Sequence, residues 1–124
     1  MARKQAFTIT LSTARAAFGL ALIAVPSRIG SSWLGPDGRR RPAQVALRGL
    51  GARDLALAGG ALSAAVRGSA MRPWLLATVG GDLADVAAAF AAGDSLPRRS
   101  RMGTLALAGA SAVLSAALAV AVDE

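Results

Sequence analysis

From Met102 through Val122 the chain carries no charged residue. A helix of that length, rising about 1.5 Å per residue, covers the ~30 Å hydrocarbon core of a bilayer. The rest of the chain must be compatible with such a segment, and its composition is: 54% hydrophobic and 17% charged residues, with a mean hydropathy of +0.49 over 124 residues. That is too apolar for an ordinary soluble domain and short enough for one domain spanning residues 1–124. The expected fold is all-α, an integral-membrane four-helix bundle with helices at about 7–25, 43–66, 73–92 and 102–122.

Local signals set those limits. Phe7 to Val25 is apolar apart from Arg15. Its part from Ala16 to Val25, behind Arg3 and Lys4, has the length of a signal-peptide core, but it runs into Val25-Pro26-Ser27-Arg28 with no A-x-A cleavage site, which favours a first transmembrane helix. Pro26 to Arg41, rich in Gly, Pro and Ser, reads as a loop with Trp33-Leu34 in the headgroup layer. Pro42 suits a first helical turn, and Arg67-Gly68-Ser69 ends the helix it opens. Pro73 and Trp74 open the next, which Gly93-Asp94-Ser95 stops; Leu96 to Arg101 then leads into the uncharged segment. An Ala-rich soluble bundle would space its small residues similarly, but the charge-free final helix argues against it.

Four spans put both termini on one side. Loops one and three hold Arg28, Arg39, Arg40, Arg41, Arg98, Arg99 and Arg101, against Arg3, Lys4, Arg67 and Arg72 on the other side. The positive-inside bias therefore places loops one and three in the cytoplasm and the termini outside, in a plasma (inner) membrane. Membrane lipids are the expected partners of the loop arginines. Nucleic acid is not expected, despite the formal charge of +7, because the arginines sit in short groups between apolar segments without an aromatic-studded basic face.

The chain has no Cys, His or Tyr, and Lys4 is its one lysine. Disulfides, thiol nucleophiles, imidazole bases and soft-metal sites are excluded. Asp and Arg remain for chemistry, so no catalytic residue, metal or cofactor is assigned. An Asp/Arg hydratase or hydrolase, or a proton or ion pathway, is a less favoured reading.

The polar residues of the apolar segments carry the functional expectation. Measured from helix starts near Phe7, Ala43 and Trp74, the rise places Arg15, Arg53, Asp54, Asp82 and Asp85 at roughly 12 to 17 Å depth, and Arg48 at roughly 8 Å. Each would cost ~2.5 to 3.5 kcal/mol unpaired at a helix centre, so they should face one another. Asp82 and Asp85, three apart, share a face. Arg53 and Asp54 are splayed by about 100° and would flank a central cavity. Gly49, Gly51 and Gly81, with Gly59, Gly60 and Gly80 around them, would let a backbone, water or ligand come close. Asp54, Asp82 and Asp85 have the oxygen ligands a hard cation needs, but the neighbouring arginines oppose one.

Two motifs carry a resemblance. In Leu47 to Gly60 the pattern R-x-x-G-x-R-D-x-x-L-x-x-G falls on Arg48, Gly51, Arg53, Asp54, Leu57 and Gly60; G-D-x-x-D falls on Gly81, Asp82 and Asp85. With Trp74 between them, the chain resembles the small four-helix actinobacterial membrane proteins of the domain-of-unknown-function 4267 type, loosely DoxX-like. The resemblance implies an integral membrane bundle and no established activity.

The leading functional expectation is a membrane-embedded polar site in which Arg15, Arg48 and Arg53 hold a lipophilic small molecule with an anionic or carbonyl-bearing head while the aspartates orient them. The alternative is structural, a homo-oligomer or an accessory subunit of a membrane complex. It would dock through the small-residue stripes Ala108, Ala112, Ala116 and Ser111, Ser115, Ala119 of the last helix. Buried ion pairs that only fix helix register would serve that alternative.

Overall fold

The computed structural model describes residues 2–122. It is all-helical, with no strand among the described residues: α1 (Ala2–Ala24), α2 (Pro26–Leu34), α3 (Arg41–Arg67), α4 (Arg72–Ala92) and α5 (Arg98–Ala121), with 3-10 turns at Gly35–Arg39 and Gly93–Ser95. Five helices replace the expected four. The additional one, α2, occupies the stretch expected to be a loop. Pro26 fixes the first turn of α2 after Val25 leaves helical geometry, and Pro26, Ile29, Gly30 and Trp33 recur at helical spacing along one face. Gly30 lies against Gly38 of the following turn, too close for a Cβ on either.

The long helices also start earlier than expected. α1 begins by Ala2 rather than Phe7, and α5 at Arg98 rather than Met102, because Pro97 takes an extended conformation and releases a helix directly behind it. Helical geometry continues past the apolar segment into its polar flank. Between α3 and α4 the link is short: Gly68 turns left-handed (φ 68°) and the Ser69 N–H donates to the Ala64 carbonyl at 2.9 Å, a Schellman closure that only glycine accepts without strain.

The long helices alternate in direction. Gly19 meets Gly51, and the Gln5 amide donates to the Ala65 carbonyl, so α1 and α3 are antiparallel. Trp74 lies on Gly60, and Lys4 Nζ donates to the Ala121 carbonyl at 2.6 Å. The tightest pairings are α1 with α3 and α4 with α5. At the glycine crossing a Cβ on Gly51 would stand 2.6 Å from the Gly19 carbonyl oxygen and 2.9 Å from Leu22 Cβ. The α2 end is tied to α5: Trp33 Nε1 donates to Thr104 Oγ1 at 2.8 Å, and Ser100 Oγ donates to the Trp33 carbonyl.

Buried leucines are few beside the small and polar residues of the interior, and many large apolar side chains lie outside. Thr8, Ser12, Asp54, Thr78, Asp82 and Ser115 are buried among many alanines, whereas Phe18, Leu20, Leu83, Phe90, Leu107 and Val113 are exposed. Three stretches are long and apolar enough to cross a membrane: Arg3–Ala24, Arg72–Ser95 and Arg98–Ala121. α3 is long enough but not among them, since it carries Arg48, Arg53 and Asp54. On α5 the small residues expected to dock a partner turn inward: Ala108, Ala112, Ser115 and Ala119 are buried, Ser111 and Ala116 partly so. Their packing is internal.

The glycine crossing makes a direct prediction. Gly51→Val drives a side chain into the α1 backbone and lowers stability by about 1–3 kcal/mol, the usual loss from overpacking. Gly59→Ala meets open space and leaves stability unchanged or raises it by up to about 1 kcal/mol. Thermal unfolding of the two variants in one detergent separates them.

Candidate functional site: the charged layer

Four helices contribute side chains to one layer. From α1, Arg15 donates through Nη1 to Asp54 Oδ1 at 3.1 Å and through Nη2 to both oxygens of Asp82 at 2.9 Å. Its Nη2 also donates to Ser111 Oγ of α5 at 2.6 Å. From α3, Arg53 grips Asp85 with two hydrogen bonds, Nη1 to Oδ1 at 3.0 Å and Nη2 to Oδ2 at 2.8 Å, the fork geometry that suits a guanidinium and a carboxylate. Arg53 Nη2 also reaches Asp54 Oδ1 at 3.2 Å. Successive residues point apart on a helix, but the long Arg53 side chain bends back around its own backbone. One oxygen, Asp54 Oδ1, therefore accepts from both arginines.

The expected residues do not all meet. Arg15, Arg53, Asp54, Asp82 and Asp85 come together, while Arg48 is exposed and stays out of the layer. Its Nε donates to the Ile23 carbonyl at 3.3 Å, within the last turn of α1, where a cation suits the helix C-terminus. Three carboxyl groups thus face two guanidinium groups, rather than three facing three. Each carboxylate is held by a guanidinium, and among the described residues no three acidic side chains converge as a cation site needs.

Of the expected close-approach glycines, Gly51 faces α1 and Gly81 faces Arg53, whose Cζ would be 3.4 Å from a Cβ there. Arg53 Nη1 also leans on the Gly81 carbonyl at 3.5 Å. Gly49 meets nothing within 4 Å and lies on the outer face of α3. The hydroxyl groups were missed. Ser111 joins the layer, and Ser12, Thr78 and Ser115 line a cavity of about 10 Å³ beside Arg15, with Leu11, Ala58 and Leu75. The available signal was spacing, since Ser12 precedes Arg15 by three residues and Thr78 precedes Asp82 by four, on shared helix faces. A larger concavity of about 430 Å³ opens at the surface around Ser31, Ser32, Gly35, Pro36 and Arg39, away from the layer.

The layer is sealed unevenly. Side-chain exposure is 15% for Arg15, 6% for Asp54 and 3% for Asp82, but 32% for Arg53 and 28% for Asp85. The open edge lies between α3 and α4. No family model, curated protein or solved structure matches the chain.

The shared oxygen predicts an ordering of variants. Asp54→Leu leaves each arginine one acceptor short, though still paired with Asp82 or Asp85, and lowers stability by about 1–3 kcal/mol, the usual loss when buried donors are left unsatisfied. Asp54→Asn keeps an oxygen for both and leaves two carboxylates against two guanidiniums, so its loss is smaller. Equal melting temperatures for the two would show that the shared contact contributes little.

Proposed function

We propose that the chain is an integral-membrane four-helix bundle, α2 being an accessory helix at one end, and that it takes the polar head of a lipophilic molecule from the bilayer at the Arg53–Asp85 edge. The single observation that carries this is the uneven seal. A charged pair about one-third exposed at mid-helix depth is costly against lipid tails, and intramembrane ionisable groups mark binding or transport sites. The apolar outer surface and the buried hydroxyl, amide-free interior support the membrane reading. The seven arginines around α2 and the α5 start favour the cytoplasm for that end.

The cavity beside Arg15, at about 10 Å³, has no room for such a molecule. Binding would be lateral, with the head at the edge and the apolar body along α3 and α4. A neutral head that both accepts from a guanidinium and donates to a carboxylate, such as one bearing a carbonyl and a hydroxyl, suits this edge. An anionic head would add to a layer that already holds three carboxylates for two guanidiniums. Native mass spectrometry of protein released from its own membranes tests this. A small-molecule adduct is expected on the wild type and on Arg48→Ala, and is lost in Arg53→Ala and Asp85→Asn. An adduct that survives both of those substitutions would overturn the assignment.

A specific observation favours a second, structural reading. Val45, Gly49, Ala52, Ala56, Gly59, Ser63 and Val66 are all exposed on α3 and alternate by four and three, the 3.5-residue repeat of a helix-packing seam. Gly49 and Gly59 face open space. Because the chain has no cysteine, single cysteines report cleanly. On this reading Ala56→Cys cross-links two copies in the membrane and Val113→Cys, on the outer face of α5, does not. Equal cross-linking at both positions would reflect random collision.

A further inference from the structure

The cavity beside Arg15 combines three features. Its volume, about 10 Å³, is near the smallest that admits a water molecule. Its lining is polar on several sides, with Ser12 from α1, Thr78 from α4, Ser115 from α5 and the Arg15 side chain. Two of the residues that supply hydroxyl groups, Ser12 and Ser115, are only 7% and 3% exposed; neither side chain has a hydrogen bond among the described residues, and their Oγ atoms, unlike Thr8 Oγ1, are not closed off from a water molecule. Hydroxyl groups that face such a cavity gain a hydrogen bond when a water fills it, and their acceptor capacity is free even where a helical hydroxyl donates to the carbonyl one turn back.

We propose that this cavity is a binding site for one water molecule, held by Ser12, Ser115, Thr78 and Arg15. Thr78 Oγ1 already donates to the Trp74 carbonyl at 2.9 Å, so its oxygen is left to accept from the water. The serines can each donate or accept. Arg15 has five N–H groups, and those not committed to Asp54, Asp82 and Ser111 donate to the water oxygen. The water then meets the two to four polar partners that buried waters have. One turn before Ser12 on α1, Thr8 is fully buried with its own Oγ1 unpartnered, next to the apolar cluster of Ala64, Ala65, Met71 and Leu118.

Hydroxyl-radical footprinting by X-ray radiolysis, with the protein in lipid nanodiscs, tests the site, because radicals inside the helices arise only where water is bound. Leu75 lines the cavity and is 4% exposed; Leu22 and Leu47 are equally buried, at 0% and 5%, but lie away from it. The expected result is oxidation of Leu75 at several times the level of Leu22 and Leu47. Oxidation of Leu75 no greater than that of Leu22 overturns the proposal. Ser115→Val fills the cavity and should bring Leu75 down to the Leu22 level in protein that melts normally; Ser12→Val gives the same reading if Ser115→Val does not fold. Undiminished Leu75 oxidation in a folded variant would place the water elsewhere and overturn the site.

Discussion

The structure depends on one carboxylate oxygen shared by two arginines. Asp54 Oδ1 accepts from Arg15 on α1 and from Arg53 on its own helix, and each arginine continues to a different aspartate of α4. Ser111 of α5 completes the circuit. One apolar cluster also engages all four long helices, with Ala64 and Ala65 of α3, Leu75 of α4, Leu118 and Ala119 of α5, and Ile9 and Leu11 of α1 packed against them. Ala-rich faces provide close approach but little discrimination, because an alanine seam packs nearly as well one residue out of step. The charged layer has one register in which its donors and acceptors coincide, so it specifies alignment even though a buried ion pair adds little net stability.

Around that layer the interior is built largely from small residues, with a few buried leucines and Met71. Small and hydroxyl-bearing side chains fill the interior and large apolar ones cover much of α1, α4 and α5. Where lipid surrounds a protein, no hydrophobic drive brings its helices together, and small residues help by letting backbones come near. The Gly19–Gly51 crossing, the Trp74 ring on Gly60 and the inward alanines of α5 all serve that end.

Much of this was legible in the sequence for a simple reason. Helical rise is constant, and Pro42 and Pro73 mark helix starts, so the common depth of Arg53, Asp54, Asp82 and Asp85 follows from counting; Arg15 was placed with them from a start at Phe7, five residues after the observed one. Arg48 was not decidable that way. It lies between the layer and the helix end, and its long side chain reaches either; the α1 carbonyls won. The serines and threonines were obscured by their size, since Ser among alanines reads as a packing residue until the neighbouring helix is seen to offer it no partner. α2 was hidden by its Gly, Ser and Pro content, which suits a loop; its helical register emerges from the docking of Trp33 on Thr104 and Ser100. The outward or inward sense of the α5 stripes depended on which neighbour they met, which spacing alone does not contain.

The distribution of the layer along the chain also bears on how the protein is made. Arg15 belongs to the first long helix, and every partner it has lies on a later one. For a membrane-inserted chain synthesised from its N-terminus, α1 reaches the bilayer with a lone guanidinium at its centre, at a cost of ~2.5–3.5 kcal/mol. Relief arrives with Asp54, a synthesis interval that includes all of α2 and the first half of α3. α1 must therefore wait beside the insertion machinery, or in the headgroup region, until α3 is delivered. Asp82 and α4 follow, and α5, uncharged through its apolar length, can enter last without a partner. In a membrane-inserted chain the same hydrogen bonds that set the final alignment would also set when each buried charge meets its partner.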